Sequence, residues 1–327
     1  RVDRATAPLW VSNRLSAAGV EIAYAADPCA LPKARKNATE IEGARAAHLR
    51  DGVAMADLLC WLDAQGPAPD LSEIDVVTHL EALRAASNLL VDISFETICG
   101  TGPNGAINHY RVTEDSDRPI KTGDLLLVDS GGQYRDGTTD ITRTIAIGSP
   151  TDEQQACFTR VLKGMIAISM ARWPLGLAGR DLDPLARFHL WQAGQDFDHG
   201  TGHGVGSFLG VHEGPQRLSR ISHVPLEAGM MLSNEPGYYR EGDFGIRIEN
   251  LVVVQPAQKL EGQDDRVMLE FETLAFTPID RNLILADKLS TPERNWLNTY
   301  HARTLSLIGP QCQPETQAWL KKACAPI

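Results

Sequence analysis

One imidazole and four carboxylates are the side chains of this sequence whose types and positions could do chemistry together. Each carboxylate lies in or beside strand-like sequence, close to turn residues, and the imidazole lies in a glycine-rich run. The five residues are Asp129, Asp140, His203, Glu235 and Glu249. Carboxylates that converge repel one another, and divalent metal is their natural neutraliser. We interpret the five as ligands of a two-metal site, which indicates metal-assisted hydrolysis.

The two aspartates belong to one predicted hairpin. Asp129 ends the apolar run Leu-Leu-Leu-Val-Asp, and Asp140 begins an alternating strand. A two-residue turn at Tyr134-Arg135 would put the aspartates opposite each other, whereas a turn at Asp136-Gly137 would still leave them on one face. The register therefore stays open at this point. The alternative interpretation is that Asp136 and Asp140 are ordinary turn acids.

The two glutamates lie in apolar strand-like runs, where an unpartnered carboxylate is costly to bury. Glu235 closes a run directly before Pro236-Gly237, and Glu249 lies in Gly-Ile-Arg-Ile-Glu-Asn, on the same strand face as Arg247. A structural salt bridge from Arg247 to Glu249 explains this pattern about as well as a metal does. We also carry Arg247 as a candidate substrate-binding residue.

The glycines around His203 allow close approach of the backbone, and His199 is expected nearby in the pocket wall. A phosphate-binding loop is the alternative, but it needs a following helix and a basic residue, and the sequence suggests neither.

The oxygen-rich ligand set is hard and favours Mn²⁺ over a tetrahedral structural zinc, with Co²⁺ or Zn²⁺ as alternative catalytic ions. Bridging carboxylates would hold two ions about 3.5 to 4 Å apart around a shared hydroxide.

The surrounding sequence predicts an α+β fold with helices packed outside a sheet. Thr39 with Glu42, and Thr151 with Gln154, have the spacing of helix capping boxes, and another helix is expected after Ser72. Strands are predicted at 125–129, 139–147, 230–235, 246–254 and 269–277. The regular alternation and glycine fingerprint of a dinucleotide-binding fold are not found. Residues 1–38 are interpreted as a remnant of an amino-terminal non-catalytic domain with its linker, and 39–327 as the catalytic domain.

Composition limits the partners. The 327 residues carry 42 acidic and 31 basic side chains, a formal charge of -11, which gives no basic surface for nucleic acid or an anionic membrane. The six cysteines form no Cys-x-x-Cys pair and are expected to be free thiols. No apolar run reaches the roughly 18 residues that span a bilayer. We therefore expect a cytoplasmic protein, although the chain starts at Arg1 and a leader upstream of it would not be visible.

Six motifs resemble those of the pita-bread family of metallopeptidases, and most closely its aminopeptidase P (Xaa-Pro aminopeptidase) branch of the cytosolic eukaryotic type. The resemblance runs from about Pro28 to the carboxyl end. The motifs are Thr101–His109, Asp129–Asp140, His199–Gly206, Val211–Pro215, Asn234–Tyr239 and Gly245–Asn250.

The resemblance implies a pita-bread fold, in which a curved mixed or antiparallel sheet has helices packed outside, and two divalent ions on the same five ligands. It implies that three non-ligand histidines bind substrate and polarise the scissile carbonyl or move protons, and that Glu235 also shuttles a proton to the leaving nitrogen. These histidines are His109, His199 and His212. The reaction would release the first residue of peptides that have proline second, through attack of the bridging hydroxide.

Several alternatives stay open beside this interpretation. A prolidase would use the same five ligands on Xaa-Pro dipeptides, and spacing does not identify the residues that sense a longer peptide. An inactive pita-bread binding module, or a creatinase-like metal-free hydrolase, should lack metal ligands, and here all five positions are filled. His109 and His212 could instead be structural, since both follow turn-rich segments. Family members carry additional amino-terminal domains, and residues 1–38 resemble the end of the second; a homodimer is a further hypothesis.

Overall fold

The computed structural model describes residues 1–68 and 70–327, and this part of the chain forms eight α-helices and fourteen strands. The helices are α1 Leu9–Ala17, α2 Ala30–Ala34, α3 Ala38–Ala64, α4 Glu73–Ala85, α5 Asp152–Ser169, α6 Gly179–Trp191, α7 Thr291–Ile308 and α8 Pro314–Ala323. The strands are β1 Leu90–Ile93, β2 Ile98–Thr101, β3 Leu125–Ser130, β4 Gly132–Tyr134, β5 Gly137–Thr138, β6 Ile141–Ala146, β7 Arg172–Pro174, β8 Gly202–His203, β9 Arg217–Leu218, β10 Met231–Asn234, β11 Gly237–Arg240, β12 Phe244–Arg247, β13 Asn250–Pro256 and β14 Met268–Thr273.

The strands form small antiparallel sheets. One four-stranded sheet has the order β10-β13-β14-β7, and one three-stranded sheet has the order β2-β3-β6. The hairpin β4-β5 extends beyond β3 and β6, and β11 pairs with β12. Helices pack outside these sheets, so the predicted α+β class is confirmed.

Reciprocal capping starts several helices. Ser72 and Thr151 are N-caps of α4 and α5, as the sequence predicted. The predicted capping box of Thr39 with Glu42 is wrong, because α3 starts two residues earlier, with Asn37 as its N-cap. The Asn37 side chain accepts a hydrogen bond from the Glu40 backbone N–H, and the Glu40 carboxylate accepts one from the Asn37 N–H. Both pairs have the required spacing, and asparagine is among the best N-cap residues.

Apolar residues at helical spacing in the sequence predict one buried face on α3 and one on α5, and both faces are buried. Met55, Leu58 and Leu62 of α3 pack into one core cluster with residues of α4 and β3. Phe158 and Met165 of α5 belong to a second cluster that includes Ile246 of β12. Each such side chain stabilises the fold by about 1.5 to 3 kcal/mol on burial. These clusters fix β3 and β12, which carry or flank the predicted ligands.

The hairpin turn differs from both predicted alternatives. Tyr134 pairs with Gly137, so the two turn residues are Arg135 and Asp136. The Arg50 guanidinium donates to both carboxylate oxygens of Asp136, at 3.0 and 2.9 Å, and this contact fixes the turn from a distant helix. The residue preferences of turns do not include a contact with a distant helix, so they could not predict this turn.

This register leaves the two aspartates on one face. Asp129 pairs with Thr142, so continuing the ladder places Asp140 beside Gly131, two residues along the chain from Asp129. Residues two apart on a strand share a face. The same-face alternative therefore holds, with the aspartates diagonal to each other rather than directly opposite.

The predicted strand 246–254 is two strands with a break at 248–249. β12 ends at Arg247, β13 begins at Asn250, and Glu249 lies between them. The Glu249 backbone N–H donates to the Thr142 carbonyl at 3.1 Å, so the chain turns from β11 toward β6 at this point. Because Glu249 lies in this break, the direction of its side chain does not follow from the alternation of side chains along β12 or β13.

The amino-terminal segment has two parts. Helix α1 buries none of its residues, and Leu9 and Trp10 are exposed. Ala34 is fully buried in a core cluster, and the Lys36 N–H donates to the Gly229 carbonyl at 2.9 Å. The domain boundary at residue 38 stays a prediction. No helix within the described ranges combines the length and apolar character needed to cross a membrane.

Candidate metal centre

The five predicted ligands converge from separate segments. Ligand atoms of Asp140, His203 and Glu249 all lie within 4.8 Å of one another. His203 Nε2 is 3.4 Å from Asp140 Oδ2 and 3.4 Å from Glu235 Oε1. Asp129 joins through Arg247, whose Nη2 lies 2.6 Å from Asp129 Oδ2 and whose Nε lies 4.0 Å from Glu235 Oε2. The structure thus brings all five together.

Glycines let the His203 segment enter this crowded region. A Cβ at Gly202 would lie 1.9 Å from the Ser233 carbonyl oxygen, and one at Gly204 would lie 2.1 Å from the Glu213 carbonyl oxygen. Only glycine fits either position. The Ser233 hydroxyl then joins two candidate ligands, because it accepts from the His203 N–H at 2.9 Å and donates to Glu235 Oε1 at 2.8 Å.

The carboxylates repel one another in a buried site. Burial, and then the charges of Asp129 and Glu235, raise the pKa of Asp140 well above its ordinary value. Burial and the charge of Asp140 raise the pKa of Glu249 in the same way. Burial also raises the pKa of Glu235, although His203 and Arg247 oppose the change. These shifts mark an excess of negative charge that the described side chains do not balance.

Two buried carboxylate oxygens test whether a cation fits. Asp129 Oδ1 and Glu249 Oε1 are buried and have no hydrogen-bond partner among the described residues. A buried unsatisfied carboxylate oxygen is costly unless a cation meets it. The donor set is four carboxylates and one imidazole, which suits hard divalent ions. The residues present therefore fit divalent metal.

His203 is held with one ring nitrogen facing the carboxylates. Its Nδ1 is 3.0 Å from the Gly204 carbonyl oxygen, so Nδ1 carries the proton in that bond. The Nε2 lone pair then faces Asp140 and Glu235. This is the tautomer that a metal ligand requires.

The predicted salt bridge from Arg247 to Glu249 is wrong. Arg247 is buried and donates from Nη2 to Asp129 Oδ2 at 2.6 Å and from Nη1 to the Tyr239 hydroxyl at 2.7 Å. Glu249 Oε2 instead accepts from the Thr142 hydroxyl at 2.6 Å. The alternation rule fails because the strand breaks between the two residues. A role of Arg247 in substrate binding stays a prediction.

His199 is a neutral imidazole at the end of a hydrogen-bonded chain. Its Nδ1 lies 2.8 Å from the Gly200 carbonyl oxygen, and its Nε2 lies 2.9 Å from the Tyr239 hydroxyl. Burial, and then the charge of Arg247, lower the pKa of His199 to about 3. Burial raises the pKa of Tyr239 to about 12, so its hydroxyl stays protonated and donates to His199.

The other two histidines flank the cluster. The His212 ring packs edge-on against His203, with centroids 4.1 Å apart. Burial, and then His203 and His109, lower the pKa of His212 to about 4. His109 is exposed, has a left-handed φ of 58°, and also lowers the pKa of His199, so it lies within electrostatic reach of both.

Sequence reasoning missed several residues that hold this site. Arg143 is buried and donates from Nη1 to the carbonyl oxygens of Glu249, at 2.6 Å, and Thr142, at 2.9 Å. Arg187 donates to Asp183 Oδ2 at 2.7 Å and to the His199 carbonyl oxygen at 2.8 Å. The available signals were an arginine in the middle of the predicted strand 139–147 and the i,i+4 pair Asp183 and Arg187 on α6.

Comparisons with known proteins agree with this geometry. A family model described as metallopeptidase family M24 matches residues 42–256, and the C-terminal region of that family matches residues 267–327. A probable Xaa-Pro aminopeptidase P from Laccaria bicolor is 46% identical over 306 residues, covering 92% of this chain and 48% of that protein. The chain spans about half the length of the curated relatives it matches.

Two solved structures extend the comparison. The crystal structure of an X-prolyl aminopeptidase from Caenorhabditis elegans, described as a cytosolic enzyme with a di-nuclear active site, matches at a TM-score of 0.89 and 35% identity, covering 97% of this chain and 56% of that chain. The Xaa-Pro dipeptidase from Bacillus anthracis matches at a TM-score of 0.71 and 28% identity, covering 85% and 72%. These neighbours confirm the predicted pita-bread fold. The chain belongs to metallopeptidase family M24.

Proposed function

We propose that this chain is the catalytic region of a metallo-aminopeptidase that releases the first residue of peptides with proline second. The observation that carries the proposal is the buried cluster in which ligand atoms of Asp140, His203 and Glu249 lie within 4.8 Å of one another, beside Asp129 and Glu235. The names of the similar proteins support the substrate class.

In this proposal the five clustered residues hold two divalent ions, with Mn²⁺ as the expected metal. The di-nuclear site described for the C. elegans enzyme supports the number of ions. Such ions, when bound, act as Lewis acids toward the peptide carbonyl and lower the pKa of a water ligand so that it can attack. The remaining steps are carried out by groups of this chain.

Glu235 is the proposed proton carrier. Its Oε1 accepts from the Ser233 hydroxyl at 2.8 Å, and a carboxylate held in one orientation can accept a proton and pass it on. The peptide bond before proline is a tertiary amide without an N–H, so its nitrogen leaves only when it gains a proton. Glu235 would take that proton from the attacking water and pass it to the proline nitrogen.

The histidines would act as neutral groups. The pKa of His199 is lowered to about 3 and that of His212 to about 4, so neither is an imidazolium at neutral pH. His199 uses both ring nitrogens on Gly200 and Tyr239. His212 packs edge-on against His203 and is the better candidate to donate a hydrogen bond to the scissile carbonyl as negative charge develops. His109 would contact the substrate from the exposed rim.

Two observations bear on the rival functions. All five donors are present, which favours an enzyme over an inactive binding module. Curated relatives at 41–46% identity are named Xaa-Pro aminopeptidase P or aminopeptidase P1, which favours the longer substrate. We also propose a cytoplasmic location, supported by the description of the C. elegans enzyme as cytosolic. A homodimer stays a prediction.

The experiment compares a tripeptide Xaa-Pro-Xaa with the dipeptide Xaa-Pro on protein reconstituted with Mn²⁺. We expect the tripeptide to release its first residue, the dipeptide to react much more slowly, and a chelator to abolish both until Mn²⁺ is restored. Faster cleavage of the dipeptide would identify a prolidase instead. Stoichiometric metal without hydrolysis of either peptide would refute the proposed peptidase activity.

A further inference from the structure

The segment that carries His212 is anchored at an unusual residue. We call residues 206–213 the His212 loop. Its ends are tied by the Gly206 N–H to the Gly210 carbonyl oxygen at 2.7 Å, and by the Glu213 N–H to the Gly204 carbonyl oxygen at 2.8 Å. Between them Leu209 has a left-handed φ of 68°, and its side chain is 67% exposed. A bulky non-glycine residue in this region is strained and persists only when other contacts hold it.

One buried side chain supplies those contacts. Gln133 is 5% exposed; its Nε2 donates to the Leu209 carbonyl oxygen at 2.6 Å, and its Oε1 accepts from the Leu209 N–H at 3.0 Å. The Thr138 hydroxyl also donates to Gln133 Oε1, at 2.7 Å. The Gln133 amide therefore bonds both the N–H and the carbonyl oxygen of Leu209, as the backbone of a neighbouring strand would. Because the Thr138 hydroxyl donates to Oε1, that oxygen faces the Leu209 N–H and Nε2 faces the Leu209 carbonyl oxygen.

Gln133 also connects two parts of the site. It lies in β4, between the candidate ligands Asp129 and Asp140 on one hairpin, and it reaches 76 residues along the chain to Leu209. Three residues after Leu209, the His212 ring packs against the candidate ligand His203. The exposed side chains of Phe208 and Leu209 give the loop little apolar anchoring of its own. Its position then depends on polar contacts, which are the Gln133 pair at Leu209 and the ion pairs of Glu213 with Lys33 at 2.9 Å and Lys36 at 3.4 Å.

We propose that Gln133 is a positioning residue for His212. Its amide holds Leu209 in the left-handed conformation and so keeps the His212 ring at a fixed distance from the metal-ligand hairpin. The loss of catalysis expected below rests on the proposed function, whereas the change in loop dynamics does not.

The test replaces Gln133 with methionine, which has similar length and no amide. We expect kcat and kcat/KM to fall together, by about 10- to 100-fold, because a misplaced group costs transition-state stabilisation. Bound Mn²⁺ should be unchanged. Hydrogen exchange should be about tenfold faster in peptides covering the His212 loop and unchanged in β3 peptides. Gln133→Glu, which keeps the acceptor but turns a carboxylate oxygen toward the Leu209 carbonyl oxygen, should be about as slow as the methionine variant.

Gln154→Met is the matched control. Gln154 is 6% exposed, donates to the Gly123 carbonyl oxygen at 3.1 Å and accepts from the Thr151 N–H at 2.8 Å, so the same substitution breaks similar contacts away from the site. It should lower the melting temperature and leave kcat unchanged. Unchanged exchange in the His212 loop of Gln133→Met, or faster exchange with wild-type kcat, would overturn the proposal. Equal acceleration in β3 would overturn it too, since the role would then be general stability. If wild type itself does not hydrolyse the tripeptide, the proposed function fails and the exchange comparison alone decides this inference.

Discussion

The candidate ligands and the non-ligand histidines are held by different means. Asp129 lies in β3 and Glu235 directly follows β10, so sheet ladders fix their backbones. Glu249 lies between two strands, and its N–H donates to the Thr142 carbonyl oxygen of β6 while its own carbonyl oxygen accepts from Arg143. His109 and His212 lie on loops, and these loops are held by buried polar side chains from elsewhere in the chain. The sheets position most of the candidate ligands, whereas hydrogen bonds from distant side chains position the non-ligand histidines around them.

Each histidine segment has its own buried anchor. Glu73 is fully buried and accepts from the Thr101 N–H at 2.7 Å and from the Tyr110 hydroxyl at 2.8 Å, which holds the segment before and after His109. Arg187 holds the carbonyl of His199, and Gln133 holds Leu209 before His212.

The two regions also differ in how well their polar groups are satisfied. The anchors are buried polar groups with several partners, whereas the ligand cluster has carboxylate oxygens without a partner among the described residues. Buried polar networks rigidify a structure when they are satisfied and destabilise it when they are not. The comparison predicts that substitutions in the ligand cluster alter metal binding and electrostatic repulsion. Substitutions of the anchors should instead alter the position of the histidines and leave metal binding unchanged.

The largest effect is expected for Asp140→Asn. The variant loses a negative ligand, so we expect no detectable hydrolysis and much less bound Mn²⁺, with the fold retained because the amide has the same shape. Metal analysis, circular dichroism and tripeptide hydrolysis measure these three outcomes. Asp136→Asn is the control, since this acid of the same hairpin pairs with Arg50 and is 38% exposed at its side chain. Full turnover in Asp140→Asn would refute the ligand assignment.

The next effect is a pH dependence of stability in the metal-free protein. The pKa values of Asp140, Glu235 and Glu249 are raised in the folded state, so between the unfolded values near 4 and the raised values the folded state binds more protons. Stability contributed by these groups is greatest at about pH 4 and below, and it falls as pH rises through the raised values of the folded state.

Urea unfolding of chelated protein at pH 5 and pH 8 measures this dependence. Wild type should lose more stability over the interval than Asp140→Asn, which carries one fewer repelling carboxylate. Saturating Mn²⁺ should remove the difference between the two pH values in wild type, because a cation that binds only the folded state favours the ionised carboxylates. Identical pH profiles of chelated wild type and Asp140→Asn would show that the carboxylates do not repel.

The sequence could predict the cluster better than the anchors, for a physical reason. Apolar runs that end in a carboxylate, and helix faces at regular spacing, are local patterns, and they gave the strands, the buried helix faces and the five residues that converge. The hairpin turn, the break before Asn250 and the Arg247–Asp129 pair depend on contacts such as Arg50 with Asp136 that join distant segments. The anchors Gln133 and Glu73 leave no periodic signal, because a single buried polar side chain resembles any other polar residue.

The smallest effect is expected for Tyr110→Phe, which weakens one anchor and leaves the cluster untouched. The substitution removes one donor to the buried Glu73 carboxylate, a bond to a charged group worth about 1.5 to 3 kcal/mol of stability. We expect kcat/KM to fall roughly threefold as the His109 segment loosens, with bound metal unchanged. Thr316→Val is the matched control, because its hydroxyl donates to the Asp57 carboxylate at 2.6 Å and joins α8 to α3 away from the site. This control should lower the free energy of unfolding by a similar amount and leave kcat/KM unchanged. If both variants changed kcat/KM equally, the effect would be general stability, and the distinction between cluster and anchors would fail at His109.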